Sequence, residues 1–224
     1  MISRDSCRTV VLISGNGSNL QSLIDGQQKG NLSIDICAVI SNRADAFGLV
    51  RATEAGIATQ CLDHQVHSSR EDFDRQLLAI VEVYKPNLLV LAGFMRILTA
   101  SFVRYYKGHM LNIHPSLLPK YPGLNTHQRV LDAGEKQHGV TVHFVTEQLD
   151  GGPAIIQAVI PVIAEDNADS LKQRVQQQEH RIYPMAVDWF ASGRLQMVSD
   201  TKVLLDGEPL PASGYQIYDC SPSS

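Results

Sequence analysis

The chain has 224 residues, 44% hydrophobic and 19% charged, which suits one α/β domain with a full hydrophobic core. The formal net charge is −4 with no long basic run, so nucleic-acid binding through a general electrostatic footprint is not expected. Cys7, Cys37, Cys61 and Cys220 form no CxxC pair, the first eight residues have no apolar core, and no apolar run is long enough to span a membrane. A reducing cytoplasm is the simplest setting.

Residues 9–14 (TVVLIS) are β-branched and apolar and predict a buried strand. Residues 19–29 set Leu20, Leu23 and Ile24 on one helical face, and Gly30 stops them. Residues 34–40 predict a second strand, 44–55 a helix ended by Gly56, and 57–62 a short third strand. Ser69 with Asp72 makes a capping-box pattern before Phe73, Leu77, Ile80, Val81 and Tyr84 at helical spacing, closed by Pro86. Residues 88–92 (LLVLA) are apolar on both faces, as in a central parallel strand. A helix over 99–106 and a strand over 110–114 follow.

From 139 to 146 (GVTVHFVT) the pattern alternates like a half-exposed strand, and 154–162 returns after the Asp-Gly-Gly-Pro turn at 150–153. A long helix over 168–190 buries Leu171, Val175, Ile182, Met185 and Trp189, with Pro184 inside it. A hairpin around Asp206-Gly207 precedes a tail, 214–224, read as disordered. The fold class is therefore α/β: an open, mostly parallel, Rossmann-like sheet with helices on both faces and an antiparallel C-terminal addition. Nothing splits 1–224 into separate domains. In such sheets ligands bind beyond the carboxyl ends of the strands.

The loop after the first strand is Gly15-Asn16-Gly17-Ser18-Asn19. Backbone N–H groups at a helix start favour a phosphate, and Ser18 or Asn19 can both cap and donate. A dinucleotide fingerprint needs a third glycine where Leu20 stands, and the Lys-Ser/Thr of a triphosphate loop is absent. A single-phosphate site or a plain strand–helix turn remains.

Eight histidines invite a metal, but His138 and His143, five apart, point to opposite faces of a strand, and no metal site is expected. Asn112 and His114 differ: two apart, they share a face. They read either as satisfied polar groups closing a sheet end or as chemistry at the crevice. An imidazole acid–base is worth about 10²–10⁴-fold. An amide N–H on an oxyanion is worth about 10²–10³-fold. Together they suit acyl or formyl transfer through a tetrahedral intermediate. A carboxylate that opposes the imidazolium charge keeps it protonated, and Asp150 is the candidate. No nucleophile motif accompanies them, so the acceptor belongs to a substrate.

LISGNGSNLQ, SNRADAFGL, LAGFMRIL, LNIHPSLLPKYPGL and HGVTVHFVTEQLDGGP resemble, in this order over about 10–190, the phosphoribosylglycinamide formyltransferase family of purine biosynthesis. The resemblance implies a cytoplasmic enzyme that moves the formyl group of 10-formyltetrahydrofolate, a co-substrate, onto glycinamide ribonucleotide without a metal. It implies Asn112, His114 and Asp150 as the catalytic trio. Gly17, Ser18, Asn19, Leu20, Gln21, Pro115, Gln176 and Glu179 are implied on the ribonucleotide side, and Arg70, Met95, Arg96, Ile97, Leu98 and Asn112 on the folate side. It implies a core of about 8–190, with phosphate and ribonucleotide held by the N-terminal half and folate by the C-terminal half. Neither nucleic acid nor membrane is an expected partner, and a pairing sheet edge leaves a homodimer open. The chain departs from the family at Asn125, commonly His there, while His127 is present.

Three alternatives stand beside this reading. A formyltetrahydrofolate hydrolase usually carries an extra N-terminal domain, for which a first strand near residue 9 leaves no room. A methionyl-tRNA formyltransferase adds a basic C-terminal domain, and this tail is short and not basic. A non-catalytic phosphometabolite-binding module leaves Asn112, His114 and Asp150 idle.

Overall fold

The computed structural model describes residues 6–219. Five parallel strands come first: β1 (Cys7–Ile13), β2 (Ile34–Ser41), β3 (Thr59–Cys61), β4 (Leu88–Leu91) and β5 (Met110–His114). Helices α1 (Ser18–Gln28), α2 (Phe47–Glu54), α3 (Arg70–Tyr84) and α4 (Ala100–Tyr105) join them. A short helix α5 (Thr126–Asp132) follows, then β6 (Gln137–Phe144), β7 (Ala154–Pro161) and the long helix α6 (Ala168–Ala191). The main sheet has the order β11-β7-β6-β5-β4-β1-β2-β3, where β11 is Tyr215–Tyr218. A separate antiparallel sheet holds β8 (Leu195–Ser199), β9 (Lys202–Leu205) and β10 (Glu208–Pro209).

The period-two alternation of β1 divides the core. Val11 and Ile13 face α1, α2 and α6, whereas Val10 and Leu12 face α3 and α4. Each side is lined by fully buried Leu, Ile, Val and Phe, and each such side chain stabilises by about 1.5–3 kcal/mol. Strand order reverses between β1 and β4, so the crevice opens there, beyond the ends of β1, β4 and β5.

Four details differ from the sequence expectation. β6 is not half-exposed: every residue after Gln137 is buried, because β5 and β7 flank it and its polar residues serve the site. The 214–224 tail is not disordered throughout: Tyr215–Tyr218 pair in parallel with β7, and 220–224 lie outside the described residues. α5 was not expected. α2 starts at Phe47 instead of residue 44, since Arg43 and Asp45 are paired with each other ahead of it.

Ser69 caps α3 by accepting the Asp72 N–H, but the Asp72 carboxylate turns to His67, leaving half a capping box. Asn167 and Ser170 make a full reciprocal box at the start of α6. Tyr183 of α6 is fully buried and its hydroxyl reaches two strand carbonyls, Leu91 O at 2.8 Å and Leu111 O at 3.1 Å. Tyr183→Phe removes this donor with no loss of volume. It is expected to cost about 1–2 kcal/mol, measured as a fall of roughly 2–8 °C in Tm.

Candidate active site

Asn112 and His114 leave β5 on one face, with Leu111 and Ile113 packed in the core on the other. Antiparallel register sets His143 of β6 opposite Asn112 and Thr141 opposite His114, so four polar residues share that face. His143 is the residue that sequence reasoning missed. Its Nδ1 lies 2.9 Å from Phe144 O, so this nitrogen donates and Nε2 is left to accept. Asn112 Nδ2 donates to that Nε2 at 3.1 Å. The contact orients the amide and leaves its second N–H unused by His143. Burial drives the His143 pKa down to about 4, which keeps the ring neutral and its acceptor open.

His114 is 6% exposed. Its Nε2 is 2.9 Å from Tyr121 O and its Nδ1 3.5 Å from Asp150 Oδ2. Both partners are acceptors, so the doubly protonated ring is the form that satisfies both. Asp150 also accepts the Gly123 N–H at 2.8 Å, and its Oδ1 is 3.9 Å from His143 Nε2.

The glycines after Asp150 have a steric cause. A Cβ on Gly152 would lie 1.9 Å from Phe144 O, and one on Gly151 2.4 Å from the Gln148 side chain. Asp150 itself has φ +49°, a left-handed conformation that Asp tolerates better than most residues. The trio therefore meets at one place, beside a pocket of about 110 Å³ lined also by Phe94, Arg96, Ile97, Val145 and Leu149.

On the glycine-loop side, Gly17 has φ +75° at the start of α1, and a Cβ there would come within 2.7 Å of Gly48 Cα. Gln176 donates to Ser18 Oγ at 2.9 Å, and Asn19 Nδ2 to Glu179 Oε2 at 2.7 Å. Residues 158 and 160 positions apart in sequence thus close one wall. Burial raises the Glu179 pKa, opposed by the Asn19 hydrogen bond. Leu20 is not on this wall: its side chain lies in the core, so only its backbone can serve a ligand. Gln21 turns to Asp25 and Arg51 instead. Arg51 was not foreseen. Its guanidinium holds Asn16 O at 2.9 Å, Asn16 Oδ1 at 3.1 Å and Gln21 Oε1 at 3.1 Å, bracing the loop from behind.

The pocket side brings the expected loop residues together. Arg70 donates to Ile97 O at 2.8 Å, and the Arg96 guanidinium sits 4.6 Å over the Phe73 ring. Met95 and Ile97 are 69% and 55% exposed, Leu98 is buried, and Pro115 is half-buried after His114. Among the described residues no group of three or more His, Cys, Asp or Glu stands close enough to hold a metal ion.

Residues 7–187 match the family described as formyl transferase. The chain belongs to the formyl transferase family. It is 55% identical over 206 residues to the phosphoribosylglycinamide formyltransferase of Escherichia coli (strain K12), covering 92% of this chain and 97% of that one. It is 44% identical over 200 residues to the trifunctional purine biosynthetic protein adenosine-3 of Homo sapiens, 89% of this chain but 20% of that protein. The structure of the phosphoribosylglycinamide formyltransferase from Coxiella burnetii superposes with a TM-score of 0.91 at 54% identity, covering 94% of this chain and 99% of that one.

In this formyl transferase the proline-rich loop is held by more than its prolines. Thr141 Oγ1 donates to Ser116 O at 2.7 Å and accepts from Leu118 N–H at 3.1 Å, and Gln157 donates to Leu118 O at 2.8 Å. Asn125 begins α5 with φ +56° and is exposed. Asparagine is among the residues enriched in that conformation, which gives a backbone reason for it there.

Behind the loop His127 Nδ1 and His138 Nε2 are 2.9 Å apart. Burial takes the His127 pKa to about 4 and the His138 pKa to about 3. An unfolded histidine titrates near about 6.5. Between about pH 6.5 and 4 the unfolded chain binds protons that the folded chain refuses. Stability is therefore complete above about pH 6.5 and is lost as pH falls through that window. The Tm is expected to drop between pH 7 and 4.5, and His138→Gln to flatten that slope; a pH series of thermal melts checks both.

Proposed function

We propose that the chain transfers the formyl group of 10-formyltetrahydrofolate to the amine of glycinamide ribonucleotide, in de novo purine biosynthesis. The observation that carries this reading is the convergence of Asn112, His114 and Asp150 between a phosphate-type glycine loop and a pocket of mixed apolar and polar lining. The ribonucleotide phosphate lies at Gly17, Ser18 and Asn19, where N–H groups of the α1 N-terminus point outward. Gln176 and Glu179 face the ribose side. The folate lies against Met95–Leu98, with Arg70 and Arg96 beside it.

The substrate amine attacks the formyl carbon, forming a C–N bond. The oxygen takes negative charge, which the free Asn112 N–H and the His114 imidazolium oppose. The bond from carbon to the folate nitrogen then breaks, and the proton lost by the amine ends on that nitrogen. Asp150 holds the imidazolium through Nδ1, and a proton passes through His114 or a water between them. No covalent intermediate with the chain is required.

One assay tests this. The protein is mixed with 10-formyltetrahydrofolate, and folate release is followed with and without glycinamide ribonucleotide. Release that depends on the ribonucleotide is the expected result. Release without it would mark a hydrolase, and no release a binding module or the tRNA enzyme.

A further inference from the structure

The loop over residues 94–98 has no backbone–backbone hydrogen bond among the described residues. Its main chain is instead pinned by side chains from other elements. Arg70 takes Ile97 O, Asp74 takes the N–H of Thr99 just past the loop, and Ser14 Oγ accepts the Met95 N–H at 2.8 Å. Ser14 follows β1 and leads directly into the glycine loop, so this bond crosses the crevice where strand order reverses.

A serine hydroxyl can rotate, and something must hold it for Met95. The Ser14 proton goes to Asn42 Oδ1 at 2.5 Å, which leaves a lone pair aimed at the Met95 N–H. Asn42, just past β2, is held in turn by His64, whose Nδ1 donates to Asn42 O at 2.9 Å in one tautomer or accepts from Asn42 Nδ2 at 3.2 Å in the other. Ser14 is 6% exposed and Asn42 3%, so water does not compete for these bonds. Neither side chain lines the pocket.

We infer that Asn42, acting through Ser14, is a positioning residue that sets the Met95–Leu98 loop against the glycine loop, and so tunes binding of the pterin co-substrate without touching it. This rests on the reading of that loop as the folate side. A loop with no ladder of its own depends on such anchors, whereas the glycine loop has its own: Arg51, Gln176 and the Gly48 N–H on Gly15 O at 3.1 Å. Loss of the Asn42 acceptor should therefore be felt on one side of the site.

The test uses the full chain and steady-state kinetics in both substrates. Asn42→Leu keeps volume and removes the acceptor. It is expected to raise KM for 10-formyltetrahydrofolate about three- to tenfold, the factor one hydrogen bond is worth. KM for glycinamide ribonucleotide should stay within about twofold. Met95 amide exchange, read by mass spectrometry or NMR, should quicken while Ser18 and Asn19 amides do not change. Asn42→Asp keeps an oxygen for the Ser14 proton and should restore the folate KM. Ser14→Ala should act on the same parameter, and the double variant with Asn42→Leu should be no worse than the poorer single. A rise of both KM values together, unchanged Met95 exchange, or failure of Asn42→Asp to rescue overturns the inference. If Asn42→Leu does not fold, Ser14→Ala decides by the same readouts. A wild-type chain that transfers no formyl group overturns the site reading and this inference together; a transferring wild type with a silent Asn42→Leu overturns the inference alone.

Discussion

His114→Ala is expected to lower kcat by about 10²–10⁴-fold, with little change in KM for either substrate. That is about 3–5 kcal/mol of barrier at 1.36 kcal/mol per factor of ten. The geometry gives the reason. The ring is wedged between Tyr121 O and Asp150 Oδ2, and both contacts favour the doubly protonated ring, whose positive charge opposes a developing oxyanion. Asp150→Asn provides the companion result. An oxygen in the Oδ2 place still accepts the Gly123 N–H and still faces His114 Nδ1, but a neutral amide no longer offsets the imidazolium charge, and its NH₂ takes the Oδ1 place toward His143 Nε2. Turnover should fall by a comparable factor although the side chain is nearly isosteric. Single-turnover rates, which separate chemistry from product release, check both variants. Near-wild-type turnover in His114→Ala would remove the imidazole from the mechanism.

Gly152→Ala is expected to combine a stability loss with a loss of activity out of proportion to it. The new methyl would sit 1.9 Å from the Phe144 carbonyl oxygen and 2.9 Å from its carbon, contacts with backbone that cannot rotate away. Either the turn or the end of β6 must shift. Overpacking of this kind costs about 1–3 kcal/mol. The larger effect comes from Asp150, two residues upstream, and His143, one residue before Phe144. A displacement of about 1 Å at such groups can cost about 10²-fold in rate. Thermal melts and kcat measured on the same preparation separate the two effects. A variant with normal kcat would mean that the turn moves without carrying Asp150.

The sheet, its helices and the shared face of Asn112 and His114 were legible because they depend on local patterns. Asn112 and His114 share a face by the two-residue period alone, and LLVLA reads as a central strand from composition. His143 was hidden because its role depends on register across β5 and β6, which no single segment carries. The same gap explains why β6 read as half-exposed. Thr141 and His143 are polar, but one anchors the proline loop and the other orients Asn112, so both are buried. α5 has little apolar signal beyond Val130 and Leu131, and it opens on a left-handed Asn125 without a side-chain cap. Leu20, Leu23 and Ile24 read as one helical face from their spacing, and all three lie in the core, so the ribonucleotide-side role that the resemblance implies for Leu20 falls to its backbone.

The last strand has a practical meaning for handling the protein. β11 lies along β7, whose residues Ile155, Ile156, Ala158, Val159 and Ile160 are almost entirely buried. A Cβ on Gly214 would come within 2.6 Å of the Ile155 carbonyl carbon, so the chain lies flush against β7 where the pairing begins. A chain cut before Tyr215 would bare a long apolar edge with unpaired N–H and C=O groups, the kind of surface that recruits strands from other molecules. Affinity tags therefore belong beyond residue 219, and trimming the C-terminus for crystallisation would trade a short tail for aggregation.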